Sequence, residues 1–115
     1  VYIAPGGQHM RIEAGMVRIG ADNGESPYKP SVDVLAESVR RGFGKAALAV
    51  MLTGMGNDGT REFVSLKNTG AYVLAQDAAT CVVYGMPKAV AEAGGVHEVL
   101  PLPRIGQRIR ELLGS

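Results

Sequence analysis

The 115-residue sequence contains no tryptophan, a single cysteine and a formal net charge of only +1. Because Cys81 has no second cysteine to pair with, no disulfide can form within the chain, and a reducing compartment is expected. With a net charge this close to zero, the sequence lacks the excess of basic residues typical of proteins that bind nucleic acid. No apolar run approaches the ~18 residues that a membrane-spanning helix needs. These absences favour a globular protein of ordinary composition, with 46% hydrophobic residues.

The length of the chain permits at most one domain with a modest core. Its first residues, Val1 to Ala4, already have the pattern of a strand, with no initiator methionine or polar lead-in. Chain ends are usually loose and exposed, so this start predicts that the chain is one piece of a longer domain.

Strand and helix patterns alternate along most of the chain. The apolar run Ala46 to Leu52 predicts the central strand, buried on both faces of a parallel sheet. Ser31 is expected to cap the helix before it, and Gly70 to end the helix after it. The other predicted elements are strands at 1–4, 72–75 and 99–100, a hairpin of 10–13 with 16–19, a polar loop at 21–30, and helices at 32–43, 60–68, 87–93 and around 105–113. The pattern predicts an α/β fold, a doubly wound and mostly parallel sheet with flanking helices and one antiparallel hairpin.

The segment after the predicted central strand, GMGNDG, carries the first candidate functional residue, Asp58. Ligands and catalytic groups gather beyond the carboxyl ends of strands in open α/β sheets. A purely structural interpretation is also available, since Asp is a common N-cap and Asp58 precedes the helix predicted from Thr60. A capping carboxylate at this place can still orient a catalytic imidazole, so the two interpretations are compatible.

The same segment fits a dinucleotide-binding pattern, with Gly54, Gly56 and Gly59 at the required spacing and Asp77 about 18 residues further on as the ribose ligand. The objection is electrostatic, because Asp58 would lie where backbone amides should meet a diphosphate. From the residues alone, a dinucleotide-binding oxidoreductase fragment therefore stays an alternative.

The chain alone does not supply a complete hydrolytic triad. None of its serines stands in a Gly-x-Ser-x-Gly turn, and Cys81 is better explained as a small buried hydrophobic residue. His97 is expected in a solvated turn, while a surface or loop-packing role is expected for His9. The histidines and the cysteine are not clustered at the spacing of metal ligands, so no metal site is predicted.

Four motifs in order, VYIAPGGQHM, KPSVDVL, LTGMGNDGT and CVVYGMPKAV, resemble the catalytic domain of the CheB family, the bacterial chemotaxis protein-glutamate methylesterases. The resemblance extends from Val1 to about Leu113 and makes the dinucleotide hypothesis the minor one. It implies a carboxylic ester hydrolase with a Ser-His-Asp mechanism, acting on glutamyl methyl esters of chemoreceptors and deamidating certain glutamines. Asp58 matches the triad aspartate, and the Met55 backbone amide matches an oxyanion-hole donor. No cofactor is implied.

The sequence also departs from the family pattern. The family's nucleophilic serine and its histidine precede the matched region, and the QHM segment around His9 does not occupy the histidine's place, so no base role is assigned to His9. We expect residues 1–115 to be the C-terminal portion of the catalytic domain, inactive alone and with uncovered apolar surface that favours association. The implied partners are chemoreceptor cytoplasmic helices and a receiver domain, and the implied location is the cytoplasm. A non-catalytic binding module remains a further alternative.

Overall fold

The computed structural model describes residues 1–20 and 26–114. The first half of the predicted 21–30 loop therefore lies outside the described residues. The elements in chain order are β1 (His9–Glu13), β2 (Met16–Gly20), α1 (Val32–Phe43), a short 3₁₀ turn (Gly44–Ala46), β3 (Leu48–Met51), α2 (Thr60–Thr69), β4 (Tyr72–Gln76), α3 (Met86–Glu92), β5 (Glu98–Leu100) and α4 (Leu102–Leu112). The α/β class, the parallel pairing and the antiparallel hairpin are confirmed.

The hairpin packs against the first helix. β1 and β2 pair antiparallel, with His9 opposite Gly20 and Glu13 opposite Met16. The connecting turn places Ala14 at φ 52° and Gly15 at φ 76°. The Ile12 amide donates to Ser38 Oγ of α1 at 2.9 Å. This contact attaches the hairpin to α1.

Helix α1 begins and ends as its sequence predicts. Ser31 has extended backbone angles and its Oγ accepts from the Val34 amide at 3.4 Å, which is the N-cap arrangement. Gly44 ends the helix with a φ of 51°. Arg40 and Arg41 lie in the last turn, where the helix dipole favours positive charge.

The parallel sheet has the order β3-β4-β5 within the described residues, and this order corrects the predicted central strand. The run Ala46–Leu52 contributes only Leu48–Met51 as strand, and three of those four residues are half-buried. The strand in the middle is β4, where Val73, Leu74 and Ala75 are fully buried. A strand covered on both sides by neighbours loses more solvent contact than one with a single partner, whatever the length of its apolar run.

The predicted strand at Val1–Ala4 is wrong. These residues have no strand assignment, and Val1, Tyr2 and Ile3 are exposed. A strand is defined by its hydrogen-bonded neighbour, and no neighbouring strand pairs with this segment in the described part of the chain.

Helix α2 packs against the sheet and contributes to the hydrophobic core. Phe63 and Leu66 are buried and Val64 is half-buried, so these three residues form the apolar stripe of the helix. Gly70 ends the helix at φ 110°, as expected for a left-handed C-cap. Leu66 retains 1% of its accessible surface. The buried members of the core cluster are Ala36, Met51, Phe63, Leu66, Ala71, Val73, Ala75 and Val90.

The C-terminal helix is attached to the sheet by a polar cluster. Arg108 of α4 forms an ion pair with Glu98 of β5 at 2.8 Å, and the Tyr72 hydroxyl donates to the same carboxylate. The hydrogen bond from Arg108, with a smaller contribution from Tyr72, lowers the pKa of Glu98 below its ordinary value. His97 is exposed, as predicted, and its ring stacks on Tyr72 with centroids 4.3 Å apart.

Candidate functional site

Asp58 lies in the loop that leaves the carboxyl end of β3 and leads into α2. Asp58 is only 6% exposed, so its carboxylate is largely shielded from water. Burial of a carboxylate is costly unless hydrogen-bond donors or opposite charges surround it. The surroundings of Asp58 therefore decide how it is held and what it can still do.

The donors to Asp58 come from the beginning of α1. Ser31 Oγ donates to Oδ1 at 2.9 Å, the Val32 amide donates to Oδ2 at 2.6 Å, and the Asp33 amide donates to Oδ1 at 3.1 Å. The first amides of a helix have no partner within the helix and favour negative charge. The buried carboxylate is thus compensated by the N-terminus of α1.

This geometry rules out the structural alternative in which the Asp58 side chain caps α2. The N-cap of α2 is Gly59 at φ 94°, which offers no side chain. Asp33 of α1 instead accepts from the Glu62 amide in the first turn of α2 at 3.1 Å. Each helix start is therefore served by an aspartate from the other segment, and the two helices are fixed relative to each other.

An ion pair supports the same contact between α1 and α2. Arg40 Nε donates to Glu62 Oε2 at 2.8 Å, and Glu62 is 5% exposed. This hydrogen bond, and the attraction of the carboxylate, raise the pKa of Arg40 above its ordinary value. The charged pair lies on the flank of the site and does not contact Asp58.

His9 is fully buried, so the expected surface role is wrong and the expected packing role holds. Its Nδ1 accepts a hydrogen bond from the Ser31 amide at 3.2 Å. His9, Ser31 and Asp58 are therefore neighbours, but they are not connected as a catalytic triad. The Ser31 hydroxyl donates its hydrogen bond to Asp58. The imidazole of His9 contacts the Ser31 backbone amide instead of the Ser31 Oγ.

The Met55 backbone N–H is oriented by the hydrogen bonds to the Gly54 carbonyl, which belongs to the same peptide group. Gly54 O accepts from the amides of Gly85 and Met86 at 3.1 and 2.8 Å. Only the Lys29–Pro30 peptide is cis among the described residues, so the Gly54–Met55 peptide is trans and its N–H points opposite to its carbonyl. The Met55 N–H is therefore directed away from α3, and its side chain is 81% exposed.

The glycines of the dinucleotide pattern are explained by close packing. A Cβ at Gly54 would lie 2.5 Å from Met86 Sδ, and a Cβ at Gly59 would lie 2.6 Å from Met51 Cε. Asp77, the supposed ribose ligand, accepts from the amide and hydroxyl of Thr80. Both features disfavour the dinucleotide hypothesis.

An open cavity of about 620 Å³ lies beside Asp58. Its lining is polar and of mixed charge, and it includes Ser26, Tyr28, Asp33, Glu37, Asn57, Asp58, Thr60 and Arg61. Among the described residues, no group of three or more His, Cys, Asp or Glu side chains is arranged to hold a metal ion. No helix in that part of the chain is long and apolar enough to cross a membrane.

Sequence reasoning singled out Asp58 and Ser31 separately but missed their contact, and it did not decide between a surface role and a packing role for His9. The two residues are 27 positions apart, and nothing in either local pattern signals that one hydroxyl would serve both the helix and the carboxylate. The sequence indicated only that Ser31 precedes a predicted helix and that Asp58 follows a predicted buried strand.

Comparison with known proteins agrees with the motifs. Residues 1–109 match the family model described as CheB methylesterase. The chain is 45% identical, over 99% of its length, to a protein-glutamate methylesterase/protein-glutamine glutaminase of Cupriavidus pinatubonensis, and 45% identical over 90% of its length to one of Pseudomonas aeruginosa. It covers 33% and 31% of these relatives, so it spans about a third of their length.

A solved structure gives the same answer for the fold. The crystal structure of the Thermotoga maritima CheB methylesterase catalytic domain superposes with a TM-score of 0.91 at 37% sequence identity. The match covers 96% of this chain and 61% of that one. With its motifs, its fold and its family model in agreement, the chain belongs to the CheB methylesterase family.

Proposed function

We propose that this chain is the acid-bearing portion of a protein-glutamate methylesterase, which hydrolyses glutamyl methyl esters and deamidates glutamines on chemoreceptors. The observation that carries the proposal is the buried Asp58 carboxylate, placed by a family motif just beyond the carboxyl end of β3. The names of the relatives support the substrate class. Chemoreceptor cytoplasmic helices and a receiver domain are the proposed partners, and the cytoplasm is the proposed location.

In the proposed reaction, a serine attacks the ester carbonyl and a histidine takes the serine proton. Asp58 holds that imidazole in the required tautomer and stabilises its charged form. The Met55 N–H donates to the oxyanion of the tetrahedral intermediate. The protonated imidazole then gives its proton to the leaving group as the intermediate collapses, so that methanol departs from the ester or ammonia from a glutamine. Water, activated by the same imidazole, releases glutamate from the serine.

The nucleophile and the base are proposed to come from a part of the enzyme outside these 115 residues. Ser31 is unsuitable as the nucleophile, because it is 2% exposed and its proton is donated to Asp58. His9 is unsuitable as the base, because it has no access to solvent. The 115-residue chain alone is therefore expected to release no methanol from a glutamyl methyl ester peptide above the uncatalysed rate.

An apolar groove supports the proposal that further chain covers this piece. A cavity of about 390 Å³ lies along β3, and it is lined by apolar side chains of β3, α1, α2 and α3. Leu48, Ala49 and Val50 are only half-buried there. Apolar surface of this kind is usually covered by another part of the protein. We propose that the serine- and histidine-bearing portion of the domain occupies this side of β3.

The experiment compares two isosteric substitutions in the complete enzyme that carries this chain. Asp58→Asn removes the negative charge that would stabilise the imidazolium, and we expect kcat to fall by about 10³- to 10⁴-fold. Asp33→Asn is the matched control, because the Asp33 carboxylate also accepts a hydrogen bond from the first turn of a helix. That helix is α2, whereas Asp58 accepts from the start of α1. The control should keep kcat within a few fold. Methanol release from methylated receptor is the measured rate, with thermal melting as the check on folding.

Two results would contradict the proposal. Equal rates for Asp58→Asn and Asp33→Asn in folded enzyme would remove Asp58 from the mechanism. Turnover by the isolated chain would show that the nucleophile lies within these 115 residues.

A further inference from the structure

Among the described residues, three hydrogen-bond donors contact Asp58 and leave one position on its carboxylate unused. An ionised carboxylate offers about four lone-pair positions, two on each oxygen. Oδ1 accepts from the Ser31 hydroxyl and the Asp33 amide, while Oδ2 accepts from the Val32 amide alone. The second position on Oδ2 is therefore the one that remains for an imidazole N–H.

We propose that Ser31 is a positioning residue for the catalytic aspartate, which it holds with Oδ2 presented to the histidine. This inference rests on the proposed function, and it concerns how the acid is oriented and how strongly it acts on the base. The Ser31 hydroxyl is the only side-chain donor to Asp58 among the described residues, and the other two donors are backbone amides. It is therefore the donor that a substitution can remove without changing the course of the backbone.

Ser31 is itself held in place by three groups. Its amide donates to Nδ1 of the buried His9, its Oγ accepts from the Val34 amide, and its carbonyl accepts from the Leu35 amide at 3.3 Å. Ser31 Oγ thus accepts from Val34 and donates its single proton to Asp58 Oδ1. The serine is thus a rigid donor, since its own position depends on the hairpin as well as on α1.

The hydroxyl also affects the charge that the histidine experiences. A hydrogen bond from Ser31 spreads part of the negative charge of Asp58, so its removal leaves the carboxylate more strongly attractive to an imidazolium. Other charged or titratable groups face this region from each packed element, and they are His9 of β1, Tyr28 of the preceding loop, Asp33 and Glu37 of α1, and Arg61 of α2. None of these changes when only the Ser31 hydroxyl is removed.

The test measures kinetics and pH dependence of Ser31 variants in the complete enzyme. Ser31→Gly removes the hydroxyl at a residue type that is still an acceptable N-cap, and Ser31→Ala is the second removal. We expect kcat to fall by about tenfold with KM unchanged, as for loss of one charge-assisted hydrogen bond that does not contact substrate. The acidic limb of kcat/KM should move to higher pH by roughly half a unit. Ser31→Thr retains the hydroxyl and should restore both quantities.

Ser38→Ala is the matched structural control. Ser38 is a buried serine on the same helix, and its Oγ accepts from Ile12 and donates to the Leu35 carbonyl without contacting Asp58. It should lower the melting temperature and leave the pH profile of kcat/KM in place. A positioning role moves the pH limb, whereas a merely structural role changes only the amount of folded enzyme.

The outcomes separate this inference from the proposed function. If Asp58→Asn abolishes activity while Ser31→Gly and Ser31→Ala keep the parent kcat and pH limb, the positioning role of Ser31 is refuted and the proposed function stands. If Asp58→Asn is as active as the parent, the proposed function fails and the role of Ser31 fails with it. A kcat loss in the Ser31 variants that Ser31→Thr does not restore also refutes the positioning role.

Discussion

Gly85 offers a direct way to displace the proposed oxyanion-hole donor without touching the donor residue. A Cβ at position 85 would lie 2.8 Å from Gly54 O and 3.0 Å from Gly56 N. Both atoms are backbone, so neither can rotate out of the way as the end of a side chain would. Alanine is otherwise acceptable there, because the Gly85 φ of −106° is available to any residue. The whole effect of Gly85→Ala therefore comes from these contacts.

The magnitude follows from the required displacement. Ordinary contacts of a Cβ begin near 3.4 Å, so the backbone on either side of Met55 must move away from α3 by about half an ångström. Overpacking of this kind costs roughly 1–3 kcal/mol of stability. The movement also weakens the hydrogen bonds from Gly85 and Met86 to Gly54 O, which orient the Gly54–Met55 peptide.

We expect Gly85→Ala in the complete enzyme to lower kcat by about 10- to 100-fold with little change in KM. Loss of one oxyanion-hole donor costs about 10²- to 10³-fold in kcat, and a displaced donor should cost less than an absent one. Gly42→Ala is the matched control, because a Cβ there meets nothing within 4 Å and the residue lies within α1. That variant should keep kcat and gain roughly 0.5–1 kcal/mol of stability.

The assay is methanol release under saturating and limiting substrate, with urea denaturation of the same preparations. A folded Gly85→Ala enzyme with the parent kcat would refute the assignment of the Met55 amide as a donor. Equal kinetic losses in Gly85→Ala and Gly42→Ala would refute the argument from close contact.

Two further predictions concern stability of the catalytic domain. Leu66→Ala should lower the free energy of unfolding by about 2–5 kcal/mol in urea denaturation, because Leu66 is 1% exposed and its removal leaves a cavity between α2 and the sheet; a loss below 1 kcal/mol would contradict the core assignment. The pKa of Glu98 is lower in the folded protein than its ordinary value of 4.5, so its contribution to stability is fully present above about pH 4.5 and is lost as the pH falls through the folded pKa. Glu98→Gln should therefore show a smaller drop in melting temperature between pH 6 and pH 3 than the parent, and an equal drop would show that Arg108 and Tyr72 do not stabilise the charged form.

Local patterns in the sequence determined most of the secondary structure. The cap of α1 at Ser31 and the end of α2 at Gly70 both depend on residues within one or two turns of each other, and both are confirmed. The family motifs likewise identified Asp58 and Met55 as candidate site residues, because motifs are read from adjacent residues.

The tertiary structure decided what surrounds these residues. The structural interpretation of Asp58 made it the cap of the helix that follows it, but the side chain accepts hydrogen bonds from a helix whose first residue is 26 positions earlier. The sequence predicted a central strand at β3, whereas β4 has the middle position in the sheet that the described residues form. It left a surface role and a packing role open for His9, and the structure buries this residue beside Ser31. Local propensity sets helix ends and buried faces, whereas the partner of a buried polar group and the order of strands depend on contacts between distant segments, which periodicity does not encode.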